Sequence, residues 1–199
     1  MEIDLTKLTP DIRHLDDVRG VLYNRDFAKS SPNFELYYMY RKIEEKNGLK
    51  YNITVTTPKM LGQEFMKTKG HVHIGNFKEI YIVLEGEALY LMQKGDENNI
   101  EDVYAVTAKK GQAVIIPEGY GHVTINPSNV DLKTGDWTSI KCKSDYSLFE
   151  KLHGACYYYI LQSGPEQASW IKNTNYKSVP KLRFEKPLNE VPQNLDFLK

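Results

Sequence analysis

The sequence predicts an all-β fold, either a sandwich or a small barrel of short antiparallel strands. Segments rich in Tyr, Ile, Val and Thr, which are residue types that favour strands, recur from residue 34 to residue 161. Turn-forming residues separate these segments at short intervals, as at Pro58, Gly86 and Gly111. Many short strands at this spacing favour an antiparallel arrangement over a parallel sheet built from βαβ units.

The chain has 199 residues, which is enough for one domain with a hydrophobic core but too few to favour two. We therefore treat it as a single domain with two extensions. Residues 1–50 are predicted to form an N-terminal arm that contains a short helix and the first strand. Residues 51–164 are predicted to form the barrel, and the proline-containing residues 165–199 an extended C-terminal tail.

Local patterns predict the individual elements. Thr9-Pro10-Asp11 reads as a helix N-cap followed by proline at the first helical position, so a short helix is expected to run to about Val18 and to end at Gly20. The aromatic segment 34–40 then begins the strands. Further strands are predicted at 51–57, 64–68, 79–84, 88–93, 103–107, 113–116, 122–126, 137–143 and 155–161, with a helical turn at 145–152.

The charge balance and the start of the chain exclude several classes of function. Lys plus Arg and Asp plus Glu number 26 each, so no overall field favours nucleic acid or an anionic membrane. The first five residues lack the basic start and apolar run of a signal peptide, and no segment approaches the roughly 20 apolar residues that span a bilayer. We expect a cytoplasmic protein with no nucleic-acid or membrane partner.

Three histidines and one glutamate suggest a metal site. Residues two apart in a strand share a face, so His71 and His73 are expected to point together, as are Glu79 and Tyr81. His122 lies in a different predicted strand, which a barrel can bring to the same interior. Imidazole nitrogen with carboxylate oxygen suits Fe²⁺, Mn²⁺, Ni²⁺ or Zn²⁺ better than Mg²⁺ or Ca²⁺. If these side chains converge, they would hold one such ion and leave coordination positions open.

The predicted strand 79–84 is apolar on both faces apart from the candidate site. Ile80, Ile82 and Leu84 alternate with Glu79, Tyr81 and Val83. A strand that is buried on both sides needs a second sheet or a second subunit to cover its outer face. Together with the tyrosine-rich segment 34–40, this pattern predicts a homodimer.

The same residues fit the two sequence motifs of the cupin superfamily. Glu79 and Gly86, with six residues between them, reproduce the second half of the first motif. The second motif, G-x5-P-x-G-x2-H-x3-N, is matched at every fixed position by Gly111, Pro117, Gly119, His122 and Asn126. Five residues separate His73 from Glu79 where three or four are usual, and Phe65 replaces the first motif's leading glycine. The resemblance implies a cupin fold, a small β-barrel or double-stranded β-helix of the jelly-roll type.

A narrower resemblance accounts for the longer gap. The segments Thr68-Lys69-Gly70-His71-Val72-His73, Glu79-Ile80-Tyr81 and Ser144-Asp145-Tyr146 resemble the cupin-type glucose-6-phosphate isomerases, which are metal-dependent. The resemblance runs from about Arg13 to Leu161. It implies that the metal ligands are His71, His73, Glu79 and His122. It also implies that the substrate phosphate lies near Tyr37, Thr54, Thr68, Gly70 and Tyr146.

The implied activity is the interconversion of glucose 6-phosphate and fructose 6-phosphate, a step of glycolysis and gluconeogenesis. Fe²⁺ is the first expectation for the metal, with Mn²⁺, Zn²⁺ or Ni²⁺ as alternatives. Glu79 is a candidate base for an enediolate route, with a metal-assisted hydride shift as the competing mechanism. Tyr81 is expected to donate a hydrogen bond to a substrate oxygen, and Lys69 to attract the phosphate. Two other functions remain open, an Fe²⁺ dioxygenase of the cupin class and a sugar-binding cupin without catalysis.

Overall fold

The computed structural model of the protein describes residues 3–162 and 168–199, and most of its regular structure is β-strand, as the sequence predicts. In chain order the strands are β1 (Asp11–His14), β2 (Glu35–Lys46), β3 (Leu49–Thr56), β4 (Val72–Ile74), β5 (Glu79–Glu85), β6 (Glu87–Gly95), β7 (Ile100–Lys109), β8 (Ala113–Ile116), β9 (Gly121–Ile125), β10 (Leu132–Ser139), β11 (Lys143–Asp145), β12 (Tyr157–Leu161), β13 (Ala168–Lys172) and β14 (Arg183–Glu185).

Helices are few and short. They are α1 (Leu15–Val18), α2 (Arg25–Ser30) and α3 (Ser147–Lys151), with single 3-10 turns at Leu5–Lys7, Arg19–Val21 and Asp196–Leu198. In the part of the chain that the structure describes, none of the helices has the length and apolar content needed to cross a bilayer.

Two larger sheets form the body of the fold. One has six strands in the order β1-β2-β3-β10-β5-β8, and the other has four in the order β14-β7-β6-β9. Their inner faces meet, because Val83 and Val114 from the first sheet share a buried cluster with Tyr90 and Met92 from the second. Two small sheets, β4 with β11 and β12 with β13, complete the structure. The predicted all-β, jelly-roll type of fold is confirmed.

The N-terminal arm differs from the prediction. Residues Asp11–His14 form strand β1, which pairs antiparallel with β2, and the helix begins only at Leu15. The side chain of Asp17 accepts a hydrogen bond of 2.8 Å from the backbone N–H of His14, which fixes the helix start there rather than at Pro10. Because β1 and β2 belong to the six-stranded sheet, the arm is an integral part of the barrel wall.

Two predicted strands also need correction. Segment 64–68 is not a regular strand, because its backbone crosses between two others: Phe65 N–H donates to Tyr159 and Thr68 N–H to Thr124. The strand predicted at 137–143 begins earlier, at Leu132, and ends at Ser139. Its extra residues pair with β3 on one side and β5 on the other, a position that local sequence does not reveal.

The C-terminal tail adds strands to the fold. The predicted boundary between residues 164 and 165 lies outside the described residues. Beyond it, β13 pairs with β12, and β14 pairs parallel with β7 at the edge of the four-stranded sheet. Leu188 then forms a bridge to Ala113, at the edge of the six-stranded sheet. The tail thus links the two sheets along one side.

The same tail covers part of the outer face of β5. Ile80 is completely buried in a cluster with Leu198, and Val191 and Leu195 pack against that cluster. The doubly apolar pattern of β5 is therefore explained in part by the chain's own C-terminal residues. The homodimer stays a prediction.

Candidate metal centre

The three histidines are brought together by direct pairing of their backbones. His71 N–H donates to the carbonyl of His122 at 3.2 Å, and His122 N–H donates to the carbonyl of His71 at 2.9 Å. His73, two residues further along the same segment, lies in β4. The imidazole ring centres of His71 and His73 are 5.2 Å apart, and those of His73 and His122 are also 5.2 Å apart. All three rings thus lie around one point.

Glu79 reaches this point from the opposite sheet. It is the first residue of β5 and is buried, at 5% exposure. Its Oε2 atom lies 3.3 Å from His73 Nε2 and 3.2 Å from His122 Nε2. The five-residue gap before Glu79 forms a turn in which Gly75 has a φ of +92°, a conformation that glycine adopts without strain.

The turn also orients a histidine. The carbonyl of Phe77 lies 3.0 Å from His73 Nδ1. Because a carbonyl only accepts hydrogen bonds, Nδ1 carries a proton, and Nε2 is the ring nitrogen turned toward Glu79. A backbone carbonyl is a common outer partner of a metal-binding histidine. The longer gap therefore supplies the carbonyl group that orients the His73 ring.

The four side chains fit a transition metal. One ligand atom from each of His71, His73, Glu79 and His122 lies within 4.8 Å of all the others. Two ligands at bond lengths of about 2.0–2.2 Å from one ion are separated by at most about 4.4 Å, so small adjustments suffice. His122 Nε2 and Glu79 Oε2 are buried and have no hydrogen-bond partner in the described part of the chain. Buried polar atoms without partners are costly, and an ion would satisfy these two.

The electrostatics of the group favour metal-ready protonation states at two positions. Burial and the neighbouring His122 hold the pKa of His71 well below its ordinary value, so this ring is neutral. Burial by itself would raise the pKa of Glu79, but His122 and His73 beside it hold the pKa well below its usual range. A neutral imidazole and an ionised carboxylate are the forms that bind metal ions.

Tyr81 lies beside the group, two residues after Glu79 on the same face of β5. Its ring centre is 5.8 Å from that of His122. Burial, together with neighbouring Glu79, raises the pKa of Tyr81 well above its ordinary value. The hydroxyl is therefore protonated at neutral pH and able to donate a hydrogen bond.

The residues expected near the phosphate line the same cavity as the metal group. They are Tyr37, Thr54, Thr68, Lys69, Gly70 and Tyr146. Lys69 N–H donates to the hydroxyl oxygen of Tyr37 at 3.3 Å, and Thr124 N–H donates to the hydroxyl oxygen of Thr68 at 3.0 Å. The ring centre of Tyr146 is 5.6 Å from that of His71. The sequence-predicted residues thus line one cavity, although the structure by itself assigns them no ligand.

Two of these residues have structural partners that sequence reasoning missed. Lys69 Nζ lies 2.6 Å from Glu150 Oε1 on α3 and 5.3 Å from the centre of the Tyr146 ring. At Gly70, which has a φ of +82°, an added Cβ would lie 2.7 Å from Val123 and 2.9 Å from Phe149. Glycine is therefore required at position 70 for packing and backbone conformation, independently of any phosphate.

The structure adds cavity residues that the sequence did not single out. Arg13 of β1 and Arg41 of β2 bring positive charge to the cavity, and Lys50 and Asn52 come from β3. Asp136 of β10 places a second carboxyl near Glu79; burial and neighbouring Glu79 raise the pKa of Asp136 well above its ordinary value. No short motif marks these residues, because strand pairing alone brings them to the cavity.

Comparison with known proteins identifies the family of this chain. Residues 12–180 match the family described as "Glucose-6-phosphate isomerase (GPI)". The chain belongs to this family. Relatives named glucose-6-phosphate isomerase include those of Thermococcus onnurineus, 31% identical over 122 residues, and Pyrococcus furiosus, 27% identical over 121 residues.

The matched region is partial on both sides. It covers 58% of this chain in both comparisons, 61% of the Thermococcus onnurineus isomerase and 62% of the Pyrococcus furiosus one. A solved structure of oxalate oxidase aligns over 54% of this chain and 52% of that chain, with 19% identity and a TM-score of 0.42. The membership of the isomerase family rests on the sequence matches.

Proposed function

We propose that this protein is a metal-dependent glucose-6-phosphate isomerase. The observation that carries the proposal is the convergence of His71, His73, Glu79 and His122 beside a cavity that is also lined by cationic and hydroxyl groups. Membership of the glucose-6-phosphate isomerase family supports the same reaction. A sugar phosphate carries both a carbonyl and a phosphate dianion, so a single substrate could use the metal group and the cationic and hydroxyl groups together.

The metal ligands in this proposal are His71, His73, Glu79 and His122. Three imidazoles and one carboxylate suit Fe²⁺, Mn²⁺, Zn²⁺ or Ni²⁺ better than Mg²⁺ or Ca²⁺, and of these ions we propose Fe²⁺ first. When bound, such an ion polarises the sugar carbonyl and stabilises the negative charge that develops on its oxygen.

The chain's own residues then bind and orient the sugar. Tyr81, whose hydroxyl stays protonated, donates a hydrogen bond to a substrate oxygen. Glu79 is ionised and is either a ligand only or also the base that moves a proton between C1 and C2. The competing route is a direct hydride shift between the same carbons. Isomerisation in D₂O separates them, since only the proton-transfer route places solvent deuterium on carbon.

The phosphate is proposed to bind in the same cavity near Tyr37, Thr54, Thr68, Lys69, Gly70 and Tyr146. These residues line the cavity and offer hydroxyl groups, an ammonium group and backbone N–H groups. Arg13 strengthens this assignment, because it pairs with Tyr37 across β1 and β2 and lines the same cavity. A guanidinium and an ammonium beside several hydroxyl groups suit a phosphate dianion.

The remaining elements of the proposal concern the protein's setting. We propose a homodimer in the cytoplasm that acts on a small sugar phosphate, with no nucleic-acid or membrane partner. The equal numbers of acidic and basic residues support the last point, since they create no net field toward a polyanion.

The test is a coupled assay of fructose 6-phosphate isomerisation on chelator-stripped protein. We expect loss of activity on stripping and recovery when one of the candidate ions is added back. Full activity without metal would contradict the proposal. Oxygen uptake recorded in parallel addresses the dioxygenase alternative, which predicts consumption of O₂ with the same four ligands. A sugar-binding cupin would bind the substrate under both conditions without turnover.

A further inference from the structure

A second carboxyl group in the cavity has no role in the mechanism described above. Among the described residues that line the cavity, the acidic ones are Glu79 and Asp136. Glu79 belongs to the metal group. Asp136 lies in the middle of β10, the strand between β3 and β5, and only 5% of it is exposed. Its carboxyl group therefore faces the cavity interior from the floor of the six-stranded sheet.

Asp136 is held in place by Asn52. The Nδ2 atom of Asn52 donates a hydrogen bond of 2.6 Å to Asp136 Oδ2. The Oδ1 atom of Asn52 accepts a hydrogen bond of 2.9 Å from the backbone N–H of Lys42. Because a backbone N–H can only donate, the amide of Asn52 has one possible orientation, with its NH₂ group toward Asp136. The carboxyl is thus fixed through one of its two oxygens.

This arrangement does not resemble a structural ion pair. In residues 3–162 and 168–199, no Lys, Arg or His nitrogen lies within 4.0 Å of the Asp136 carboxyl, whereas Glu64 lies 2.5 Å from Lys67. A buried carboxyl without a cation costs free energy that an apolar residue at the centre of a strand would not. Buried polar groups that are kept at such a cost in a cavity are candidates for ligand binding.

The register of the sheet places Asp136 between the two ends of the proposed substrate. In β10, Thr134 pairs with Thr54 at the proposed phosphate end, and Thr138 pairs with Glu79 at the metal end. Asp136 lies between Thr134 and Thr138 and shares their face, about 6–7 Å from each along the strand. An extended six-carbon sugar that joins the two ends would pass over this position.

We propose that Asp136, oriented by Asn52, is a further substrate-binding residue whose carboxyl group hydrogen-bonds a hydroxyl group in the middle of the open-chain sugar. This inference rests on the proposed sugar-phosphate function and adds the part of the sugar that the metal and phosphate groups leave unrecognised. The residue selects for a polyhydroxylated chain, because a chain that lacks the hydroxyl group would not make this hydrogen bond in a buried site.

The test measures binding to metal-loaded protein by calorimetry, so that it does not depend on turnover. The ligands are glucitol 6-phosphate, which has the full hydroxylated chain, and inorganic phosphate, which has none. Asp136→Ala is expected to weaken glucitol 6-phosphate binding by about 10- to 100-fold, because it leaves a buried hydroxyl group of the ligand without its hydrogen-bond partner. Affinity for inorganic phosphate and the metal content are expected to stay at the wild-type level.

Asp131→Ala is the matched control, since this aspartate is exposed and directly precedes β10. It is expected to bind both ligands like the wild type. Unchanged glucitol 6-phosphate affinity in Asp136→Ala would overturn the inference, and so would an equal loss for both ligands, which indicates a structural role. If Asp136→Ala does not fold, Asp136→Asn keeps the side-chain volume, and the expected selective loss is then about tenfold.

The two proposals fail in different ways. Wild-type protein that binds glucitol 6-phosphate through Asp136 but does not isomerise fructose 6-phosphate would contradict the proposed activity and support this residue's role. If the wild-type protein isomerises fructose 6-phosphate but Asp136 contributes nothing to the binding of the sugar phosphate, the proposed activity is supported and the role of Asp136 is contradicted.

Discussion

Two groups of buried ionisable side chains in this protein differ in what offsets the free-energy cost of burying them. Glu64 and Lys67 form an ion pair of 2.5 Å in which Lys67 also donates to the carbonyl of Val21 and Glu64 accepts from Tyr23 N–H. Both residues are nearly inaccessible to solvent, at 1% and 4% exposure. Opposite charges and backbone partners complete this pair within the chain.

The metal group, His71, His73, Glu79 and His122, contains no such lysine–carboxylate pair. Glu79 and His122 are as well buried, at 5% and 2% exposure, and atoms of both lack hydrogen-bond partners in the described residues, as does Glu64 Oε1. The difference is that Glu64 Oε1 has the Lys67 ammonium beside it, whereas in the described residues the basic side chains within 4.0 Å of the Glu79 carboxylate are all histidines. Its side chains come from different sheets, with Glu79 in β5, His122 in β9 and His73 in β4, and they offer ligand atoms to a shared point. The comparison teaches that burial and charge alone do not identify a site, whereas unsatisfied ligand atoms that converge on one point do.

The largest expected effect comes from removing one of the four proposed metal ligands. His122→Ala should lose metal and isomerase activity by more than the roughly 10- to 100-fold that loss of a metal's outer-shell partner costs. Metal content per chain and the coupled assay measure the two effects. His14→Ala, a histidine outside the cavity, is the matched control and should keep both. Normal metal content in His122→Ala would contradict the assignment of His122 as a metal ligand.

Removing the lysine of the Glu64–Lys67 ion pair should lower the stability of the protein and leave its metal binding unchanged. Lys67→Ala leaves Glu64 as an uncompensated buried charge, so the free energy of unfolding should fall by about 3–5 kcal/mol. Denaturant unfolding measures this change. Lys110→Ala, at an exposed turn lysine, should change it little. Metal content of the folded Lys67→Ala protein should equal that of the wild type, and loss of metal there would contradict the separation of the two groups.

Added metal should stabilise the folded protein only when the four proposed ligands are intact. At a free ion concentration 100 times the dissociation constant, the wild type should gain about 2.7 kcal/mol in free energy of unfolding. Lys67→Ala should gain the same increment, since its metal ligands are intact, and His122→Ala should gain much less. Thermal unfolding with and without the added ion gives the comparison. Equal gains in all three proteins would indicate that the ion binds elsewhere.

The smallest effect concerns an ion pair at the edge of the cavity. Lys69 is paired with Glu150, whose side chain is 53% exposed, so this pair contributes at most about 1 kcal/mol. Glu150→Gln should free Lys69 for the substrate phosphate and lower KM for fructose 6-phosphate by about two- to fivefold, with kcat unchanged. Glu97→Gln, in another ion pair outside the cavity, is the control. A rise in KM would mean that Glu150 helps to position Lys69.

Much of the candidate centre could be predicted from the sequence because its residues lie in short motifs. His71 and His73 are two apart in one strand segment, and the second motif fixes His122 in a strand after a turn. The Asp136 and Asn52 pair could not be predicted in this way. These residues are 84 positions apart and meet only because β10 lies between β3 and β5 in the sheet.

The sequence by itself determined the strand-rich fold, the metal-ligand candidates and the resemblance to the isomerase family, because these depend on side-chain alternation and on local motifs. Only the tertiary structure decided that Arg13 joins the cavity, that Lys69 is paired with Glu150, and that the C-terminal tail covers β5. The physical reason is that strand order and register are set by the packing of the whole chain, so contacts between distant segments leave no signature in either segment alone.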